Sequence, residues 1–294
     1  MFVVLGVLIF VFLMLQLVGD PVRLMLPAEA PESIREELRE SLGLNDPLYV
    51  RFGRSIWGWV RGDFGDSLWQ NVPALPLALS RIPNTLYLTA VSLGIALPLA
   101  IALGVLSAVK PNSLIDRTLT AISLAGVSVA DFWLGLMLIL IFAVQLQWLP
   151  TSGFGGITYA LLPAISLAFR PLGRIAQVAR SALVEEMEKP YILTAQSKGL
   201  TGRAVVWRHA LRNAAIPTIT VTGDETATFL NGAVVIETIF AWPGIGQLFI
   251  QAIQRRDVPL IEACVFVVAL LTITLNLIVD LSYAAIDSRA RIQK

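Results

Sequence analysis

The chain has 294 residues, of which 56% are hydrophobic and only 15% charged, with a formal net charge of +1. At a mean hydropathy of +0.73 it falls with integral membrane proteins rather than soluble enzymes, and its near-neutral balance supplies no basic stripe for nucleic acid. Its single cysteine, Cys264, and single histidine, His209, exclude an intrachain disulfide and leave no Cys/His metal set.

Taken in chain order, six apolar stretches approach the roughly 20 residues needed to cross a hydrocarbon core of about 30 Å. They run over 2–18, 85–109, 119–146, 159–178, 214–240 and 259–286. The first has neither a basic leader nor a small-residue cleavage site, so it reads as a retained span. Between the first and second lies PESIREELRESLG, in which Pro31 suits a helix start, Ile34, Leu38 and Leu42 recur at four-residue spacing, and Gly43 suits a cap. RFGRSIWGWVRGDFGDSL follows, with Trp57, Trp59 and Phe64 fitted to a membrane interface; its RGD reads as a turn.

Cations orient the spans. Lys110 and Arg117 flank one loop, the series Arg174, Arg180, Lys189, Lys198, Arg203, Arg208 and Arg212 leads through another, and Arg289, Arg291 and Lys294 end the chain. Short basic loops stay cytoplasmic, which predicts both termini inside. The predicted organisation is a first transmembrane helix at 1–19, an extracytoplasmic segment with short helices at 20–84, a five-helix core at 85–286 containing a cytoplasmic loop at 181–213, and a cytoplasmic tail at 287–294.

No phosphate loop is present, since none of the four lysines follows a glycine. SGFGG at Ser152 to Gly156 reads as a turn. Any uphill transport must therefore draw its energy from another subunit. In the 181–213 loop, Tyr191, Ala195 and Gly199 share a helical face, Gly199 and Leu200 can close a short helix, and Thr201 can cap the next. That second helix, through Trp207, His209, Arg212 and Asn213, leads to Pro217 at the entry to the fifth span. Small residues here allow a partner close approach, and Lys198 and Arg212 offer it positive charge.

The pair YILTAQSKGL and RHALRNAAIP resembles the EAA-type coupling loop of ABC importer permeases of the dipeptide, oligopeptide and nickel branch. LVGDPV, LGLNDPLYVRF with RGDFGDSL, DFWLGLMLIL and ETIFAWPGIGQLFIQAIQRRD resemble the same branch in order, so the likeness covers nearly the whole chain. It implies an all-α, six-span membrane protein of the type I importer permease kind, the first of two paralogous permeases. It also implies a sister permease, two ATP-binding subunits that hold ATP and magnesium, and an extracytoplasmic solute-binding protein, in a bacterial or archaeal plasma membrane. The chain itself would carry no cofactor and catalyse nothing. Tyr191, Ala195, Lys198, Gly199, His209, Arg212, Asn213 and Pro217 are then the candidates for coupling to the ATPase.

The chain departs from that branch in three places. Leu193, Thr194 and Ala195 stand where the motif's glutamate would be, Ala130 replaces a proline before DFWLG, and Asp224 and Glu225 stand where uncharged residues are usual. A carboxylate inside a span is costly and points to a pathway. Asp131, Asp224, Glu225 and Asn231 are the pathway candidates, while Glu237, Glu262, Asn276 and Asp280 face the bundle in either role. Gly94, Gly104, Gly126 and Gly135 read as helix-packing positions. The leading expectation is a peptide importer subunit. Nickel, glutathione and oligosaccharide are the other substrates of the branch, and a proton-driven transporter or a membrane enzyme using Asp224 and Glu225 are readings of other classes.

Overall fold

A computed structural model of the chain describes residues 2–17, 31–41 and 45–286. Among them the fold is helical, with one isolated β-bridge between Asp66 and Pro73. The helices are α1 (Phe2–Leu17), α2 (Glu32–Ser41), α3 (Leu48–Arg61), α4 (Ala74–Val109), α5 (Leu114–Ser128), α6 (Asp131–Leu138), α7 (Ile157–Met187), α8 (Pro190–Ser197), α9 (Gly202–Ala204), α10 (Leu211–Ile239), α11 (Ile245–Arg255) and α12 (Val258–Ile286). Two π-helical segments, Ile139–Gln145 and Val205–Ala210, continue α6 and α9. LVGDPV, Leu42, Gly43 and the cationic tail lie, wholly or mostly, outside the described residues.

Helices α4 and α12 are long and apolar enough to cross a membrane, and α5 with the Asp131–Gln145 helix would supply a third crossing. That pair bends by 104°, so the stretch read as one span over 119–146 is broken. Val129 and Ala130 take extended backbone (ψ 130° and 132°), which ends α5, and Asp131 starts the next helix with a carboxylate in its first turn. Hydropathy runs on across the break because both sides are apolar. Helices α7 and α10, of 31 and 29 residues, have the length but carry Arg170, Arg174 and Arg180, and Asp224 and Glu225, respectively.

The chain forms two compact units. The first comprises 1–84 and 243–272. Its core joins Leu8 and Phe12 of α1, Trp59 of α3, Ala74 and Ala78 of α4, Leu248 of α11, and Leu260, Cys264 and Val267 of α12. Two buried carboxylates tie it together. Trp59 Nε1 donates to Glu262 (3.0 Å), while Asp257 accepts from the Ser67 hydroxyl (2.5 Å) and the Trp69 N–H (3.1 Å) and caps α12 through the Leu260 N–H. The RGD sequence is a turn: Gly62 (φ 74°) closes α3 by donating to Trp59 O, and the Asp63 N–H donates to Gly58 O.

The second unit comprises 85–242 and 273–294. Here α7 packs on α5, α6 and α10. A Cβ on Gly173 would lie 2.3 Å from Ser123 O, and one on Gly126 would lie 2.8 Å from Phe169 O, so α5 and α7 cross backbone against backbone. Gly104 and Gly135 also make close approaches, as expected, but Gly94 does not: nothing lies within 4 Å of its absent Cβ. The fully buried Glu237 accepts from Thr85 Oγ1 (2.6 Å), and the buried Trp242 stacks on Tyr87. The turn read at Ser152 to Gly156 is held by the Gly153 N–H donating to Phe240 O.

Candidate functional site

The 181–213 loop folds as a helix, a tight turn and a second helix. Pro190 occupies the first turn of α8, where its missing N–H costs nothing. At the other end the Gly199 N–H donates to Gln196 O (2.9 Å) and the Leu200 N–H to Ala195 O (3.3 Å), with Gly199 at φ 81°. These two bonds across a left-handed residue satisfy the last carbonyls of α8. Thr201 then caps α9, its hydroxyl accepting from the Ala204 N–H (3.4 Å).

From Gly202 the chain stays helical through the π segment into α10, so Pro217 lies inside α10. The π segment reaches Ala210 and the α-helix resumes at Leu211, well before the proline, which therefore removes one internal backbone bond instead of marking a boundary.

Orientation also differs from the expectation. Ala195 is buried, turned with Ile192 against Val105 and Ala108 of α4, Leu183 of α7, and Val205, Val206, Ala210 and Ala214. It packs within its own chain, because residues three apart share a helical face and Ile192 claims the core. The outward face carries Leu193, Leu200 and Trp207, exposed at 61%, 39% and 57%, beside exposed Lys198, Arg203, Arg208 and Arg212. His209 is half-buried and Gly199 is exposed.

Tyr191 and Asn213 brace the loop. The Tyr191 hydroxyl donates to Glu186 Oε2 (2.5 Å), Asn213 Nδ2 donates to the Tyr191 oxygen (3.0 Å), and Lys189 Nζ donates to Glu186 Oε1. Burial raises the pKa of Glu186, but the hydrogen bonds from Lys189 and Tyr191 outweigh it and hold the carboxyl below its ordinary value. Burial, and then the Glu186 carboxylate, raise the Tyr191 phenol. Sequence reading missed Glu186 because it looked for an acid at the motif position; the signal available was a glutamate five residues ahead of the tyrosine.

A second anchor holds the adjoining helices. Arg180 of α7 makes two bonds to Asp116 of α5, Nε to Oδ1 (2.6 Å) and Nη2 to Oδ2 (2.7 Å), and Asp116 also accepts from Ser107 and the Asn112 N–H. The two-point geometry fixes orientation as well as distance.

The pathway candidates separate into different environments. Glu225 is fully buried, with Oε1 2.9 Å from Arg174 Nη1 and Oε2 3.4 Å from the Thr228 hydroxyl that donates to it. Asp224, one residue away, is exposed. Asp131 stands at the 104° break, its Oδ1 buried without a hydrogen-bond partner, and Arg170 and Glu225 lie within electrostatic reach of it. Opposite, a Cβ on Gly232 would sit 3.6 Å from Asp131 Oδ2. The side chain of Asn231 lies outside the described residues, as does that of Asp280. Arg174, assigned from its charge to the approach to a cytoplasmic loop, is in the body of α7.

Long apolar helices, a broken crossing and a compact helix-turn-helix loop define a membrane transport subunit of the type I ABC importer permease fold. Two solved structures share it. A solved amino acid ABC transporter matches with a TM-score of 0.57 at 16% identity, over 71% of this chain and 94% of that one. The inward-facing MetNI methionine ABC transporter matches with a TM-score of 0.57 at 19% identity, over 72% and 96%. At such identities the likeness is one of fold. The chain belongs to the binding-protein-dependent transport system inner membrane component family, whose model matches residues 100–292. It is 38% identical over 299 residues to the oligopeptide transport system permease protein AppB of Bacillus subtilis, covering 98% of this chain and 95% of that one. It is also 38% identical to the glutathione transport system permease protein GsiC of Escherichia coli, covering 98% and 94%.

Proposed function

We propose that this subunit forms half of the translocation pathway of an ATP-driven importer for peptides. A paralogous sister permease supplies the other half, two ATP-binding subunits consume ATP with magnesium, and a solute-binding protein delivers the cargo outside. Six spans place both termini in the cytoplasm of a bacterial or archaeal cell. The names of relatives similar along their whole length, one an oligopeptide and one a glutathione permease, support peptides as the substrate class.

The observation that carries the coupling role is the turn at Gly199. It presents an apolar and basic outer face, Leu193, Leu200 and Trp207 with Lys198, Arg203, Arg208 and Arg212, on the side away from the subunit's own core. Such a face suits a groove in an ATP-binding subunit with acidic edges. Movement of that subunit would pass through α8 to the braced helix ends at Glu186 and Asn213, and so to α7 and α10. Transport by alternating access requires the loop to be held differently in two nucleotide states, since equal contacts shift nothing. The test is to purify the co-encoded binding protein, identify what it retains, and measure ATP-dependent uptake of that compound in vesicles containing all subunits. Uptake driven by a proton gradient without ATP, or retention of a sugar or metal ion only, would overturn the proposal.

A further inference from the structure

Two arginines of α7 are out of place for a helix crossing lipid. Taking Ile157 as the outer end, Arg170 lies about 20 Å and Arg174 about 26 Å along the helix at a rise of 1.5 Å per residue, within a hydrocarbon core of about 30 Å. Both are exposed in the isolated subunit. A guanidinium facing acyl chains is strongly disfavoured, so these side chains face water or protein in the assembled transporter. Arg174 already has an acid, Glu225. Arg170 has no ion pair or hydrogen bond among the described residues, and neither does Asp131 Oδ1, which is buried at the break in the α5–α6 crossing.

Resting on the peptide-importer reading above, we infer that Asp131 and Arg170 form a charged station in the aqueous pathway, Asp131 taking a substrate's ammonium group and Arg170 its carboxylate. The neighbouring Arg174 and Glu225 neutralise each other and hold α7 to α10 behind the station. Asp131 offers an acceptor oxygen, Oδ1, that no protein donor among the described residues uses. An ammonium, with three donors on one nitrogen, suits that oxygen, and the planar fork of Arg170 suits a carboxylate. Peptides with both ends free carry both groups.

Two measurements on the full complex in vesicles test this. The first needs no substrate: Asp131→Cys and Arg170→Cys are exposed to charged, water-soluble thiol reagents in each nucleotide state, with labelling located by mass spectrometry. Native Cys264 is fully buried and supplies the background. Both new cysteines should react in at least one state; if both are inert in every state, the station is not in an aqueous pathway and the inference fails. The second is uptake of tetraalanine. Asp131→Asn and Arg170→Gln should each lower it at least tenfold while all subunits co-purify in wild-type proportion, and Asp131→Glu and Arg170→Lys should retain most of it. Wild-type uptake that persists unchanged in both neutral variants would overturn the inference and leave the peptide reading intact. Reactive introduced cysteines, together with a wild-type complex that imports no tetraalanine, would instead sink the peptide reading, and the ammonium assignment with it. If the neutral variants fail to assemble, the charge-preserving variants decide: loss of uptake in both, with normal assembly, would refute the charge requirement.

Discussion

Replacing Gly199 by alanine isolates what the turn contributes, because a Cβ there would meet nothing within 4 Å and the only change is conformational. At φ 81° an L-residue is in the left-handed region, at a cost of about 1–2 kcal/mol. If the closed turn is only moderately favoured over an open one, that shifts the balance by roughly 5–30-fold. The bonds from Gly199 to Gln196 and from Leu200 to Ala195 would then be lost together, and α8 would fray at the end that carries the outer face. Three substitutions separate strain from obstruction. Asparagine tolerates the left-handed region, so Gly199→Asn should stay near wild type, Gly199→Ala should be impaired, and Gly199→Leu should be impaired further if an ATP-binding subunit contacts this surface. The assays are co-purification of all subunits, substrate-stimulated ATPase, and uptake in vesicles. Wild-type values for Gly199→Ala and Gly199→Leu in all three would refute the assignment of this turn as the coupling element.

Three other outcomes follow from the geometry. Gly173→Ala should lower thermal stability by about 1–3 kcal/mol through overpacking against Ser123 O, whereas Gly94→Ala, with open space, should not; equal melting temperatures in detergent would contradict the close crossing of α5 and α7. Ala130→Pro should be tolerated or stabilising by about 0.4–1 kcal/mol, because Ala130 already has φ −69° and the preceding Val129 is extended; a lowered melting temperature would refute this. Glu186→Gln should loosen the loop at neutral pH, seen as faster hydrogen exchange over 186–213. Because the folded carboxyl titrates below its ordinary value, its stabilisation is present above that ordinary value and is lost as pH falls through the lower folded value, so wild type and variant should converge there. Divergence that persists in strong acid would show that the carboxylate is not the source.

What local sequence dictates was readable and what depends on facing direction was not. Gly199 was legible as a turn because a glycine after a short helix with a capping threonine is a local signal. The burial of Ala195 was not, since α8 presents small residues on both faces and only the position of α4 and α7 selects the inner one. The break before Asp131 was hidden by apolar residues on both sides, and the arginines of α7 were read from charge as approaching a loop, although a pathway can hold them at depth. Asp224 and Glu225 looked equivalent as neighbours. A rotation of about 100° per residue on a helix sends one inward to Arg174 and leaves the other exposed.

The tie between Asp257 and the segment at Ser67 to Trp69 bears on how the subunit is made. Trp69 and Asp257 are 188 residues apart, and Trp59 and Glu262 are 203 apart. At about 5–20 residues per second of translation, the Trp59–Trp69 segment waits roughly 10–40 s before its partners leave the ribosome. Throughout that interval α1 and the Trp59 region have emerged without the α12 surface that covers them. For this time the early segment lacks its native cover, and a truncated product ending before residue 257 should be a ready target for quality-control proteases.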